Sequence, residues 1–217
     1  MSRTLSFFEP IILIGGGPVS PDDVALVQQF ARKTIAVDSG ADSADAMGLE
    51  VFAVLGDMDS ASAEVLQKNK GKIRQITEQA TTDFEKCIKA SDAPLYLSIG
   101  FLGGRLDHEL AALNVLAKYP DRRIVLIGAQ DIVVLCPKEF QIELPFQCRI
   151  SLFPLEKTNG LHSTGLRWPL DGMEMVASGQ IGVSNQVCAE QVKISYRSGA
   201  LLLILPLENL AALLAGF

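Results

Sequence analysis

The sequence contains no run of basic residues and few cysteines. Its 217 residues carry a formal net charge of −6, whereas proteins that bind nucleic acid usually cluster Lys and Arg. Nucleic acid is therefore not an expected partner, and an anionic substrate would need basic groups or a divalent cation at its own site. The cysteines form no CxxC pair, which favours free thiols in a reducing compartment; they are Cys87, Cys136, Cys148 and Cys188.

Long apolar segments are also missing. The start, MSRTLSFFEP, has no apolar stretch long enough for a signal peptide. The apolar stretch 200–217 is interrupted by Pro206, Glu208 and Asn209, so a buried strand followed by a short terminal segment is expected there instead of a membrane span. We therefore expect a cytoplasmic protein without membrane contacts.

The first 130 residues alternate between short apolar runs and stretches with helical spacing. Runs that are apolar on both faces are typical of parallel strands covered by helices. Residues 1–130 therefore predict a doubly wound, mostly parallel α/β domain. The predicted strands are 11–14, 34–37, 51–55, 95–99 and 124–127.

Two helices stand out in this half. The first is predicted over 21–32, with Ser20 as its cap and Pro21 at its first position. The second is predicted over 105–118, with one apolar stripe facing the core. That stripe consists of Leu106, Leu110, Leu113 and Ala117.

After residue 130 the pattern changes to short segments separated by turn signals such as Asn159-Gly160 and Ser198-Gly199. Residues 131–217 therefore predict an all-β domain, a sandwich or small barrel. The sequence shows no internal repeat and no low-complexity linker between the two halves. The predicted strands are 132–136, 140–144, 149–153, 173–177, 191–196 and 201–205.

Glycine-rich or polar groups follow four of the predicted strands. The carboxyl ends of parallel strands lie at one edge of a sheet, where ligands bind. The sequence therefore predicts a shared ligand site, although tight turns and helix caps explain each group separately. The groups are Gly15-Gly16-Gly17, Asp38-Ser39-Gly40, Asp57 with Asp59, and Gly103-Gly104-Arg105.

The stretch GDMDS places two carboxylates two positions apart at a strand end. Like charges held close raise one another's pKa, and a bound cation removes that cost. The alternative is a polar turn in which Asp59 or Ser60 caps the next helix.

The glycines match neither standard nucleotide loop. GGGPVS completes neither GxxxxGK[ST] nor GxGxxG. A glycine turn whose amides face a phosphate is compatible with the sequence.

Two helix starts carry further acids. TTDFE reads as a capping box of Thr82 and Glu85, in which Asp83 only complements the helix dipole. In GGRLDH, Asp107 and His108 are compatible with ordinary first-turn residues. Arg105 after two glycines suits a phosphate chain better, because a guanidinium then lies beside exposed amides.

Taken in series, six motifs resemble the thiamine pyrophosphokinase (thiamin diphosphokinase) family. The resemblance extends over nearly the whole chain, and the family's architecture is an α/β domain followed by a β-sandwich. The motifs are VDSGAD (37–42), GDMDS (56–60), TEQATTDFEK (77–86), GGRLDH (103–108), STGLRWPL (163–170) and GVSN (182–185).

The resemblance implies Mg²⁺-dependent transfer of pyrophosphate from ATP to thiamine, giving thiamine diphosphate and AMP. It also implies a homodimer whose active site is completed at or near the subunit interface. The implied metal-facing acids are Asp38, Asp57, Asp59 and Asp83, and the implied catalytic residues are Asp57, Asp59, Asp83, Arg105 and Asp107. The implied nucleotide side comprises Asp38, Ser39, Gly40, Gln79, Thr82, Gly103, Gly104, Arg105 and His108, and the thiamine side Ser163, Thr164, Trp168, Ser184 and Asn185.

One departure concerns the metal. The family usually has an acid where this chain has Ala80, so this protein is expected to bind one ion fewer or to bind it more weakly. Two alternatives stay open. One is a haloacid-dehalogenase-like phosphatase with GDMDS as its nucleophile motif, and the other is a nucleotide or thiamine sensor without turnover.

Overall fold

The computed structural model describes residues 4–217. Residues 1–3, which open the predicted α/β domain and the stretch considered for a signal peptide, lie outside the described part. The chain divides into two compact units, with the boundary between Ala129 and Gln130.

The first unit is built on a parallel sheet with strand order β8-β7-β2-β3-β4-β5. The strand order reverses between β2 and β7, since the chain adds β3 to β5 on one side and β7 and β8 on the other. β1 and β6 form a separate parallel pair. The strands are β1 (Leu5–Ser6), β2 (Ile11–Ile14), β3 (Lys33–Val37), β4 (Val51–Gly56), β5 (Ile73–Gln75), β6 (Ser91–Asp92), β7 (Tyr96–Ile99) and β8 (Ile124–Ile127).

The helices of this unit begin close to the predicted positions. Ser20 caps α1 in a complete capping box with Asp23, and Pro21 is its first residue, as predicted. The helix is shorter than predicted, because Phe30 bonds to the Val27 carbonyl and tightens the chain into a turn. The helices are α1 (Pro21–Val27), α2 (Gly40–Ala46), α3 (Ala63–Lys68), α4 (Asp83–Ala90) and α5 (Leu106–Lys118).

The predicted apolar stripe of α5 is wrong. Leu106 and Leu110 are 69% and 58% exposed. The helix instead buries Ala112, Val115 and Leu116. The predicted and the observed buried residues both recur at helical spacing. Which face is buried is decided by how the second and third turns of α5 pack in the folded unit.

The second unit contains two antiparallel sheets with strand orders β13-β11-β15-β9 and β10-β14-β12. After β15 the chain forms a 3₁₀ turn and a short terminal helix, α6 (Leu210–Gly216). The strands are β9 (Asp131–Leu135), β10 (Glu139–Glu143), β11 (Arg149–Pro154), β12 (His162–Thr164), β13 (Gly182–Gln186), β14 (Gln191–Ser195) and β15 (Leu201–Pro206).

The strand predicted over 173–177 does not form. Met175 makes only an isolated bridge with Thr158, because turns at Asp171-Gly172 and at 176–179 bend the chain on either side. No helix within residues 4–217 has both the length and the apolar character that a membrane span requires.

Candidate active site

Three carboxylates meet at the carboxyl edge of the parallel sheet. Asp38 follows β3, and Asp57 and Asp59 follow β4, its hydrogen-bonded neighbour. One oxygen from each of these residues lies within 4.8 Å of the others. The sheet therefore brings together three of the four acids predicted to face a metal.

The backbone conformation of the loop after β4 positions the carboxylates of Asp57 and Asp59. Met58, between them, has a φ of 68° and so lies in the left-handed region that non-glycine residues seldom occupy. The Asp59 amide donates to Asp57 Oδ1 at 3.4 Å, and the Ser60 hydroxyl donates to Asp59 Oδ1 at 2.7 Å.

Neither Asp59 nor Ser60 caps the next helix. That role belongs to Ser62, whose hydroxyl accepts from the Val65 amide at 3.4 Å. The Ser62 amide in turn donates to Asp42 Oδ2 at 3.0 Å, which ties the loop to α2. The capping alternative for GDMDS is therefore wrong.

The Asp38 carboxyl is buried without a complete set of partners. It is 6% exposed, and its Oδ1 accepts no hydrogen bond from any of residues 4–217. Burial raises the pKa of Asp38 and the nearby Asp83 and Asp59 charges add to the rise, whereas hydrogen bonds from the Ser39 backbone and the Ser60 side chain oppose it. An unsatisfied buried oxygen beside two more carboxylates has the donor chemistry of a hard divalent cation site, so these residues fit Mg²⁺.

A buried lysine, which was not predicted from the sequence, lies within the cluster. Lys86 is 3% exposed, and its Nζ donates to Asp57 Oδ2 and Asp83 Oδ1, both at 2.9 Å. Burial disfavours the ammonium, but the hydrogen bonds and charges of Asp83 and Asp57 outweigh burial and raise the pKa of Lys86. The same contact lowers the pKa of Asp57.

Asp83, the fourth predicted metal ligand, has internal partners. Besides Lys86, its Oδ1 accepts from the Asp57 amide at 3.2 Å. The view that Asp83 only complements the dipole of α4 is therefore wrong, since it fixes the GDMDS loop from the start of that helix. The i,i+3 spacing of Asp83 and Lys86 was the available sequence signal.

The predicted capping box at α4 is half formed. The Thr82 hydroxyl accepts from the Glu85 amide at 3.4 Å. The Glu85 carboxylate does not return the bond, because Oε1 accepts from Lys118 Nζ at 2.6 Å and from the Tyr119 hydroxyl at 2.9 Å. Thr82 is thus a helix cap in this structure.

Gln79 joins the cluster through a side-chain hydrogen bond. Its Nε2 donates to Asp57 Oδ2 at 3.3 Å, and Gln75 Nε2 donates to the Asp57 carbonyl at 2.9 Å. The departure at Ala80 leaves only a backbone amide there, which donates to Glu78 Oε2 at 2.8 Å.

The first glycine turn is a packing feature. The Gly15 and Gly17 amides donate to the Ile99 and Gly100 carbonyls, both at 2.9 Å, so they are not available to a phosphate. A Cβ on Gly40 would lie 2.0 Å from the Ile14 carbonyl oxygen. The sheet edge thus needs glycine at this position for close backbone approach, and the adjoining Ser39 forms no side-chain cap bond to α2.

Arg105 and Asp107 form an exposed bidentate pair at the start of α5. Arg105 Nε and Nη2 lie 3.2 and 2.7 Å from the two Asp107 oxygens, and the Arg105 side chain is 73% exposed. The guanidinium lowers the pKa of Asp107, which makes that carboxylate a poor proton acceptor. Its neighbours Gly103, Gly104 and His108 are exposed, and a Cβ on Gly103 would meet nothing within 4 Å.

In the second unit, Asn185 and Ser163 hold the loop that carries Trp168. Asn185, which is buried, accepts from the Trp168 amide at 3.2 Å and donates to its carbonyl at 2.7 Å. The Ser163 hydroxyl accepts from the Leu170 amide at 2.9 Å. Their polar groups are thus used within the protein, in hydrogen bonds to the backbone of the loop that carries Trp168.

Trp168 itself is 51% exposed, with the Arg167 guanidinium carbon 4.8 Å from the ring centroid. The predicted residues Thr164 and Ser184 are exposed on β12 and β13. Ser184 has a φ of 57°, and its amide donates to Ser151 Oγ at 2.9 Å. This part of the second unit therefore presents the exposed Trp168 ring together with exposed hydroxyls.

Comparison with known proteins gives concordant matches. The family model for the thiamin pyrophosphokinase catalytic domain matches residues 24–127, and that for the thiamin pyrophosphokinase vitamin B1 binding domain matches residues 133–201. Thiamine pyrophosphokinase 1 of Arabidopsis thaliana is 35% identical over 167 residues, covering 68% of this chain and 62% of that protein. Thiamine pyrophosphokinase 1 of Oryza sativa subsp. japonica is 35% identical over 161 residues, covering 65% of this chain and 61% of that protein.

Two solved structures share the fold. Thiamin pyrophosphokinase from Geobacillus thermodenitrificans has a TM-score of 0.77 at 24% identity, covering 91% of this chain and 97% of that chain. The Candida albicans protein has a TM-score of 0.78 at 17% identity, with coverages of 94% and 93%. The fold is thus an α/β domain plus a β-rich domain. The match spans less than two thirds of the length of the two plant relatives, yet the two family models together cover most of this chain, and the chain belongs to the thiamin pyrophosphokinase family.

Proposed function

We propose that this protein transfers a pyrophosphoryl group from ATP to the hydroxyl of thiamine, producing thiamine diphosphate and AMP. The observation that carries the proposal is the convergence of Asp38, Asp57 and Asp59 at one sheet edge, where a buried Asp38 oxygen has no hydrogen-bond partner among residues 4–217. The relatives named thiamine pyrophosphokinases support the same reaction.

In this proposal Asp38, Asp57 and Asp59 hold Mg²⁺, and Asp83 supports them. Bound Mg²⁺ supplies neutralisation of the phosphate charge, the main requirement of phosphoryl-type transfer. Arg105 adds a second positive group, because the N–H groups of its exposed guanidinium that do not contact Asp107 can donate to phosphate oxygens. The Asp107 carboxylate then holds the guanidinium in place, a positioning role that fits its lowered pKa. The remaining nucleotide-side residues are Ser39, Gly40, Gln79, Thr82, Gly103, Gly104 and His108.

Thiamine binding is proposed for the second unit. The Trp168 ring offers a surface on which the cationic thiazolium can stack, worth about 1–2 kcal/mol when it is desolvated. Asn185 and Ser163 hold the Trp168 loop in place, and the exposed Thr164 and Ser184 hydroxyls supply polar contacts.

The proposal also covers the arrangement of the chain. Residues 1–130 form a doubly wound nucleotide- and metal-binding domain, and residues 131–217 form a β-sandwich that binds thiamine. The protein acts in the cytoplasm as a homodimer, with the active site completed at or near the subunit interface.

Both alternatives are weaker. A haloacid-dehalogenase-like phosphatase would carry its nucleophilic Asp after the first strand, whereas GDMDS follows β4. There Asp57 is bonded to Lys86 and Gln79, which lowers its nucleophilicity. A sensor without turnover is favoured by Ala80 alone.

A product assay separates the three functions. The protein is incubated with ATP, Mg²⁺ and thiamine, and the nucleotides and phosphate are quantified. AMP formed in step with thiamine diphosphate supports the proposal. Release of inorganic phosphate without AMP indicates the phosphatase, and ligand binding without either product indicates the sensor.

A further inference from the structure

Lys86 is a cation built into the acidic cluster. Its side chain is 2% exposed and touches two carboxylates, Asp57 and Asp83, each at 2.9 Å. Because it is buried beneath the loop, it does not contact a ligand that arrives from solvent. Any effect of Lys86 on the site must therefore act through those two acids.

The ammonium divides the carboxylate oxygens into two groups. Asp57 Oδ2 is occupied by Lys86 and Gln79, and Asp83 Oδ1 by Lys86 and the Asp57 amide. Asp38 Oδ1 is left without a donor from residues 4–217. One group of oxygens is thus satisfied internally, and the other still requires a positive charge.

We infer that Lys86 takes the place of a second cation, so that the cluster binds a single divalent ion before nucleotide arrives. This inference rests on the proposed metal site and makes Lys86 a positioning residue. An ammonium shared between Asp83 and Asp57 neutralises one of their two negative charges and so removes the demand for a second metal.

The first test counts cations without nucleotide. Mn²⁺ binding to the full chain is followed by the electron paramagnetic resonance of the free ion, for wild type and Lys86→Met. We expect one bound Mn²⁺ in wild type and two in the variant. No bound Mn²⁺ in wild type, or the same number in both proteins, overturns the inference.

The second test measures stability. In EDTA, Lys86→Met should lower the melting temperature by about 5–10 °C, because it leaves the half-buried Asp57 and Asp83 carboxylates without their ammonium partner. Mg²⁺ should then raise that temperature by about twice the wild-type increment, since the ion replaces the lost charge. Equal Mg²⁺ increments in the two proteins contradict the inference.

Matched variants separate charge compensation from general destabilisation. Lys118→Met breaks another ion pair of α4, that with Glu85, and should lower stability without changing the Mn²⁺ count. Should Lys86→Met fail to fold, the double variant Asp83→Asn/Lys86→Met carries the test. Because it removes one charge of each sign, it should fold and bind one Mn²⁺. A double variant that binds two ions, or that unfolds, overturns the inference.

These measurements do not require turnover. A wild-type protein that binds one Mn²⁺ with the expected Lys86 dependence, yet forms no AMP, would overturn the proposed reaction and leave the role of Lys86 standing.

Discussion

At the scale of single residues, Asp59 offers the cleanest separation of function from stability. Its carboxylate meets those of Asp38 and Asp57, and within the described part of the chain it accepts a hydrogen bond from the exposed hydroxyl of Ser60. Asp57, by contrast, is bonded to the buried Lys86, so its replacement disturbs packing as well as chemistry. The two acids of GDMDS are therefore not equivalent as probes.

We predict that Asp59→Ala lowers kcat/KM by about 100-fold or more, because it removes one of the three carboxylates proposed to hold the Mg²⁺ that neutralises phosphate charge. The free energy of unfolding should change by less than about 0.5 kcal/mol, as for an exposed side chain. Initial rates and chemical denaturation measure the two effects. The exposed Asp121→Ala variant is the control and should alter neither, and a near-normal rate for Asp59→Ala would remove it from the site.

Gly40 shows what backbone contact requires of one residue. An added Cβ would lie 2.0 Å from a carbonyl oxygen of β2, and backbone atoms in a buried sheet cannot yield. We predict that Gly40→Ala lowers the free energy of unfolding by about 3 kcal/mol. Gly71→Ala is the matched control, because nothing lies within 4 Å of its Cβ, and urea denaturation should show little loss. Equal losses in both would contradict the steric explanation.

At the scale of elements, α4 and α5 are joined by a buried carboxylate. Glu85 on α4 accepts from Lys118 on α5 and from the following Tyr119. Burial opposes the Glu85 charge, but these two bonds outweigh it and lower the pKa of Glu85, while burial and the Glu85 contact raise the pKa of Tyr119 to about 12. The contact positions the helix that carries Asp83 and Lys86.

Glu85→Gln should lower the free energy of unfolding at neutral pH by about 1–3 kcal/mol. A carboxyl whose pKa is lowered on folding contributes stability above its unfolded pKa, and that contribution is lost as pH falls through the folded pKa. The difference in free energy of unfolding between wild type and Glu85→Gln should thus be constant above pH 4.5, the ordinary pKa of a glutamate side chain, and should shrink below that pH.

Denaturation at a series of pH values measures this difference. Glu64→Gln, at an exposed acid of α3, is the control. A difference for Glu85→Gln that stayed constant to the lowest pH would show that its charge is not responsible.

Elements were predictable where the sequence signal is local. Ser20, Pro21 and Asp23 determine the start of α1 through contacts three residues apart, and the buried runs at 11–14 and 124–127 match β2 and β8. The stripe of α5 was mistaken because several faces of that helix are apolar, and the choice between them is made by tertiary packing. The strand β13 was not predicted, since GVSNQ shows no clear alternation and exposes Val183.

At the scale of the whole molecule, the site divides between predictable and unpredictable parts. Parallel pairing of β3 with β4 made the meeting of Asp38, Asp57 and Asp59 foreseeable. Lys86 and Asp57 are 29 positions apart in the sequence, so no local sequence pattern predicts their ion pair. Likewise, only the folded chain shows that Asn185 reaches across 17 positions to hold the Trp168 backbone.

The proposed division of ligands between the two units predicts selective effects on substrate binding. Trp168→Ala should raise the KM for thiamine by about 10-fold, through loss of cation–π stacking, with the KM for ATP unchanged. Arg167→Gln should instead lower the KM for thiamine. Its guanidinium now lies over the Trp168 ring, where it competes with the thiazolium for the same face and repels its charge.

Steady-state rates at varied thiamine and at varied ATP measure both variants, with the exposed aromatic change Phe146→Ala as control. Trp168→Phe should bind thiamine more tightly than Trp168→Ala, because the smaller phenyl ring still offers a weaker cation–π contact. An increase in the KM for ATP with that for thiamine unchanged would place Trp168 on the nucleotide side. Weaker thiamine binding in Arg167→Gln would instead make that guanidinium a support for the ring, because removing a competitor cannot weaken the ligand it competes with.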